Sequence, residues 1–98
     1  MSYFYCSSIS FQVKTIACCA GSGSSVLRGV RADVYLSGEM SHHDVLDATS
    51  NNHHVILCEH SNTERGFLKV LAPQLSTILN DEVKVTVSET DRDPLEIV

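Results

Sequence analysis

His54-Val55-Ile56-Leu57-Cys58-Glu59-His60-Ser61-Asn62-Thr63-Glu64-Arg65-Gly66 places a histidine and a carboxylate, four residues apart, directly after an apolar, strand-like run. If a helix starts after the run, His60 and Glu64 lie one above the other on the same face. An imidazole and a carboxylate side by side at the end of a strand supply two ligands for a divalent transition metal, though two do not complete a site. The same residues also spell a capping box, Ser61-x-x-Glu64, in which the serine accepts from a backbone N–H and the glutamate reaches back. Capping boxes are far commoner than metal sites, so spacing alone puts the cap first and leaves His60 a solvated loop histidine.

Upstream, Val13-Lys14-Thr15-Ile16-Ala17-Cys18-Cys19 reads as a first strand, followed by the turn Gly21 to Ser25 and a short helix from Val26 to Val30. Ala32 to Leu36 is a second strand. Ser41 then caps a helix through about Ala48, with Asp44 at the capping-box position, and Asn51-Asn52 ends it. His54 to Cys58 is the third strand. A third helix carries Phe67, Leu68 and Leu71 to Pro73, which kinks it or starts a second segment through Leu79. Val83-Lys84-Val85-Thr86-Val87 alternates as a fourth, more exposed strand. This β-α-β-α-β-α-β order predicts an α/β fold with a largely parallel sheet, alternating helices and right-handed crossovers.

In open parallel sheets ligands bind beyond the carboxyl ends of the strands. The segments expected there are Gly21 to Ser25, Ser37 to Asp44, Glu59 to Glu64, and Ser88 to Asp93, and parallel strands would put all four on one rim. Gly21, Gly23 and Ser24 are candidates to present amides to an anion at a helix N-terminus. They match neither G-x-G-x-x-G nor a Walker loop, and a tight turn with an N-cap is the favoured reading. Glu39, His42, His43 and Asp44 form the densest titratable cluster. A solvated first helical turn explains His42 and Asp44 better, whereas Glu39 and His43 are candidates for catalytic or outer-shell roles. His53 precedes the third strand and His54 opens it, at the end of the sheet away from the rim. Asp91-Arg92-Asp93-Pro94 reads equally as a carboxylate–guanidinium cluster at the rim and as an Asp-Pro turn with surface ion pairs.

Ninety-eight residues make one domain at most. A net charge of -5, with no basic run to follow a phosphate backbone, argues against direct nucleic-acid binding. The four cysteines show no C-x-x-C spacing, and Cys18, Cys19 and Cys58 sit in or at the end of apolar runs, which fits a reducing intracellular compartment. The first eleven residues lack a basic start and are too short and serine-broken to span a bilayer, so neither an export signal nor a membrane anchor is expected.

The motifs C-A-G-S-G-S-S (19–25), A-D-V-Y-L-S-G-E-M-S-H-H-D (32–44), E-H-S-N-T-E-R-G-F (59–67) and S-E-T-D-R-D-P-L (88–95) resemble the C-terminal portion of the GTP cyclohydrolase 1 type 2 homologues, also called the NGG1-interacting-factor-three-like family. The resemblance covers residues 13–98 and leaves 1–12 as a non-matching N-terminal segment. It implies part of a two-part fold with a dinuclear divalent-metal centre, to which the H-x-x-x-E maps His60 and Glu64 as ligands. That reverses the order of metal ligand and cap for this pair. Glu39 and His43 become secondary candidates near the pocket. The family's remaining ligands, a histidine pair and an aspartate, come from an N-terminal half not matched here. The chain is therefore expected to be a truncated, hydrolase-like family member, from a truncated product or a partial gene model, that binds metal weakly and catalyses nothing alone. The resemblance further implies homo-oligomeric whole proteins, a cytoplasmic location extending to the nucleus, and, as the alternative function, a protein-interaction module tied to a transcriptional regulator. Apolar surface normally covered by the missing half is expected to drive self-association.

Overall fold

The computed structural model describes residues 3–5, 12–96 and 98. In chain order its elements are β1 (Tyr3–Tyr5), β2 (Ile16–Ser22), α1 (Ser24–Leu27), β3 (Val34–Glu39), α2 (His42–Ser50), β4 (His54–Leu57) and α3 (Leu68–Ile78), with 3-10 turns at Ser61–Thr63 and Arg65–Phe67 between β4 and α3. The sheet order is β1-β4-β3-β2. β2, β3 and β4 are parallel, so three crossover-linked strands form the expected α/β sheet, and Leu36 pairs with Cys18 on one side and Ile56 on the other. Among the described residues, no helix is long and apolar enough to cross a membrane.

The start of the sheet is set by one carboxylate. Asp33 Oδ2 accepts from the Lys14 amide at 2.8 Å and the Thr15 amide at 2.9 Å, tying two chain segments together just before their ladder begins. The strands accordingly start at Ile16 and Val34, later than the apolar runs indicate. Leu27, Tyr35, Val45, Ala48, Val55 and Leu57 form the buried core, with Val55 wholly inaccessible. Each large apolar side chain so buried contributes about 1.5–3 kcal/mol of transfer free energy. Ser41 caps α2, accepting from the Asp44 amide at 3.2 Å while donating to Asp44 Oδ2 at 2.7 Å. Asn52, at φ +65, turns the chain after the helix.

Three sequence expectations change. The first helix is Ser24–Leu27 rather than Val26 to Val30, because Gly29 turns left-handed at φ +79. Pro73 lies inside one continuous α3 and so starts no second segment, although its ring nitrogen has no N–H to donate to the helix. Val83 to Val87 forms no strand, and Val83 remains exposed. Alternation supplies a face, but a strand also needs a backbone ladder, and the outer edge of β4 is taken by the antiparallel β1, a strand the sequence reading did not contain. Cys6 lies outside the described residues.

Candidate functional site

β4 ends at Leu57, and two residues later Glu59 adopts φ +70. A left-handed conformation costs a residue with a side chain about 1–2 kcal/mol, and such positions cluster where geometry serves a site. His60 follows immediately and leads into a 3-10 turn rather than an α-helix. Its spacing to Glu64 still brings the two together, with Nε2 3.1 Å from Glu64 Oε1. No side-chain cap forms, since the Glu64 amide donates to the Ser61 carbonyl at 3.1 Å. On its other side the ring donates from Nδ1 to Glu39 Oε1 at 2.9 Å, a contact between the ends of β4 and β3.

The imidazole is thus held between two half-exposed carboxylates. Glu39's hydrogen bond is the largest cause raising the His60 pKa above its ordinary value; burial opposes it next, and the charges of Glu64 and then Glu39 add to the rise.

Backbone approach makes this arrangement possible. Gly21, at φ +67 beside the register shift in β2, lies so close that a Cβ there would meet Glu64 Oε1 at 2.6 Å and His60 Nε2 at 2.9 Å. A Cβ on Gly38 would meet the Gly21 carbonyl at 2.7 Å, Thr63 Oγ1 at 2.8 Å and the Glu59 carbonyl at 2.9 Å. Thr63 Oγ1 accepts from the Gly21 amide at 2.8 Å and donates to the His60 carbonyl at 2.7 Å. Below it, the buried Ser37 hydroxyl lies 3.0 Å from the Cys19 carbonyl and 3.2 Å from the Gly21 carbonyl.

Of the predicted site residues, Glu39, His60, Glu64 and Gly21 converge at the carboxyl ends of β2, β3 and β4. In the Gly21, Gly23 and Ser24 segment, Gly23 stands at the N-cap of α1, as the turn-and-cap reading expects. The Gly21 amide is committed to Thr63, the Gly23 position is pressed against Ser37 Oγ, and α1 has only four residues. His43 does not join the cluster. It is exposed on α2 with its ring edge-on to His42, and among the described residues it forms no hydrogen bond with His60, Glu39 or Glu64. Asp44 serves the α2 cap and pairs with Arg28 at 2.9 Å; hydrogen bonds from Ser41 first, then Ser24 and Arg28, hold its carboxyl below its ordinary pKa.

His53 is structural, its Nδ1 donating to the Ala32 carbonyl at 2.6 Å while its ring stacks on Tyr35. Asp91 reaches Arg65 at 2.7 Å and Asp93 accepts from the Leu95 amide at 3.0 Å, so the last rim segment divides between an ion pair and a turn. Beside Glu64, a cleft of about 230 Å³ is lined by Ser61, Glu64, Arg65, Leu68 and Asp91. A larger cleft of about 410 Å³ between α1 and α2 includes none of the converging residues, and its lining groups Arg28, Asp44, Tyr35 and His53 already pair with one another. Among the described residues, no group of three His, Cys, Asp or Glu side chains is arranged to hold a metal ion; His60 and Glu64 offer one pair of donors. Thr63, Ser37 and Asp33 escaped the sequence reading because their partners lie 16 to 42 residues away.

The profile of the Duf34/NIF3 (NGG1p interacting factor 3) family matches residues 3–94. NIF3-like protein 1 of Homo sapiens is 64% identical over 87 residues, which cover 89% of this chain and 23% of that relative. NGG1-interacting factor 3 of Saccharomyces cerevisiae is 47% identical over 89 residues, 88% of this chain and 30% of that relative. The chain therefore spans about a quarter of the length of the mammalian curated relatives it matches. A Staphylococcus aureus hypothetical protein of known structure superposes with a TM-score of 0.74 at 27% identity, covering all of this chain and 34% of the other. A Bacillus cereus protein related to NIF3 shares the fold with a TM-score of 0.77 at 23% identity, covering 100% of this chain and 28% of that one. The chain belongs to the Duf34/NIF3 family.

Proposed function

We propose that this chain carries part of a divalent-metal site in a hydrolase-like protein, with His60 and Glu64 as its ligands and Glu39 as the residue that orients His60. The observation carrying this reading is the 3.1 Å approach of His60 Nε2 to Glu64 Oε1 over a position without a Cβ. The donor set fits: bonds of about 2.0–2.1 Å to a tetrahedral ion place neighbouring ligand atoms about 3.4 Å apart, within a small adjustment of this pair. Glu39, by accepting from Nδ1, leaves Nε2 as the ring nitrogen that faces Glu64 and that would ligate an ion once its own proton is displaced. Gly21 keeps that space open.

A divalent ion held there supplies Lewis acidity for activating water in hydrolysis. The chain's own residues orient the imidazole, supply one nitrogen and one carboxylate oxygen, and border the cleft beside Glu64. With two donors the chain binds metal weakly; the dinuclear centre and catalysis belong to the whole protein, which we read as a cytoplasmic homo-oligomer. Titration of the 98-residue chain with Zn2+, beside its His60→Ala/Glu64→Ala variant, tests the assignment. Saturable binding lost in the variant supports it. Binding equal in both, or in neither, removes it.

A second reading is a protein-interaction module reaching the nucleus. The yeast relative is named for interaction with NGG1, and this chain is acidic at -5. Phe67, Val70 and Ile78 on and beside α3 are exposed, and no residue of that helix is buried. Partner capture by an immobilised chain that survives His60→Ala/Glu64→Ala separates this role from the metal role.

A further inference from the structure

We infer that Thr63 is a positioning residue of the His60–Glu64 pair, its hydroxyl latching the turn that carries both side chains to the end of β2. This rests on the metal reading for its consequence, and on hydrogen-bond geometry alone for the latch.

His60 and Glu64 sit on a 3-10 turn, a geometry with poorer hydrogen bonds than an α-helix, and both side chains are about half exposed. Neither feature by itself holds two donor atoms in a fixed relation. Thr63 lies between them in sequence, is half-buried, and carries its hydroxyl to the same Gly21 that the two side chains approach. Its Oγ1 makes two bonds of opposite sense. It donates to the His60 carbonyl at 2.7 Å, closing the turn on itself, and accepts from the Gly21 amide at 2.8 Å, across 42 residues of chain. A hydroxyl is the group suited to this position, being donor and acceptor at once. The Gly21 residue it grips is the one whose missing Cβ gives Glu64 Oε1 and His60 Nε2 their space.

The latch is braced from beneath. The buried Ser37 hydroxyl lies 3.2 Å from the Gly21 carbonyl, and Gly38 lets the Gly21 carbonyl, Thr63 Oγ1 and the Glu59 carbonyl crowd within 3 Å of where a Cβ would stand. Three strand ends therefore meet through backbone at Gly21, Gly38 and Glu59, and Thr63 is the side chain that locks them. Val would fill the same volume without either bond. Ser would keep both.

The test compares Thr63→Val and Thr63→Ser with the parent chain by amide hydrogen exchange at Gly21 and by Zn2+ titration. Thr63→Val is expected to speed Gly21 exchange at least tenfold and weaken Zn2+ binding about 10-fold or more, as removal of an outer-shell partner does. Thr63→Ser is expected to restore both to within about twofold. Unchanged Gly21 exchange in Thr63→Val overturns the latch; faster exchange with unchanged Zn2+ affinity overturns its positioning role. If the parent chain binds no Zn2+, the metal reading fails, and Gly21 exchange with rescue by Ser still decides the latch. A Thr63→Val chain that fails to fold while Thr63→Ser folds with a freely exchanging Gly21 amide also overturns it.

Discussion

Two titratable clusters of similar composition have opposite fates in this molecule. Glu39, His60 and Glu64 come from the end of β3 and the turn after β4 and meet around one imidazole. His42, His43 and Asp44 are sequence neighbours on the first turn of α2, where Asp44 serves the helix cap and Arg28 while the histidines face solvent beside each other. Density of ionisable residues along the chain is therefore a poor guide to a site. A helix N-terminus gathers such residues for its own stability, since its amides and dipole favour carboxylates and hydroxyls. Convergence from separate elements has no such local explanation.

The comparison breaks most decisively on Zn2+ affinity. His60→Ala is expected to reduce binding by 100-fold or more, and Glu39→Gln by the 10–100-fold typical of an outer-shell partner, whereas His43→Ala stays within about twofold. Equal losses for His43→Ala and His60→Ala, measured by titration, would erase the distinction drawn here. Next in size is the floor of the convergent cluster. Gly21→Ala adds a left-handed penalty and a contact at 2.6 Å to Glu64, and is expected to cost about 2 kcal/mol in urea unfolding. Gly66→Ala, with nothing within 4 Å of its Cβ, should remain within about 0.5 kcal/mol of the parent.

The local cluster has the reverse signature. Ser41→Ala removes the α2 cap and is expected to lower unfolding stability by about 1 kcal/mol with Zn2+ affinity unaltered. Smallest is a carboxylate in neither cluster. Amide hydrogen bonds from Lys14, then Thr15, hold the Asp33 carboxyl below its ordinary 3.8. A lowered folded pKa means the ionised form is favoured by folding, so its contribution is present above the unfolded value and lost as pH falls through the folded one. Acid titration of stability should show a shallower decline below pH 4 in Asp33→Asn, and an unchanged slope would rule the linkage out.

Sequence and structure part company at identifiable places. The parallel order of β2, β3 and β4 was legible because each apolar run is separated from the next by turn and helix signals. The meeting of His60 with Glu64 was legible because four residues close one turn in either helical form. Glu39 stood out as a candidate through the titratable cluster it begins and through the family motif, not through its partner, since its bond to His60 spans 21 residues. Val83 to Val87 had a strand's alternation without a strand's partner.

The amino-acid sequence by itself determined what depends on near neighbours: the apolar runs, the Ser41 cap, the i, i+4 pair and the break at Asn52. Those interactions are decided by side-chain period and backbone propensity within one turn or strand. Tertiary structure alone decided the rest: Glu39 on His60, Thr63 on Gly21, Asp33 on Lys14 and Thr15, and β1 on the edge of β4. Each joins groups that only sheet register brings within 3 Å or a ladder spacing. No local preference encodes which distant backbone amide a hydroxyl or carboxylate will find.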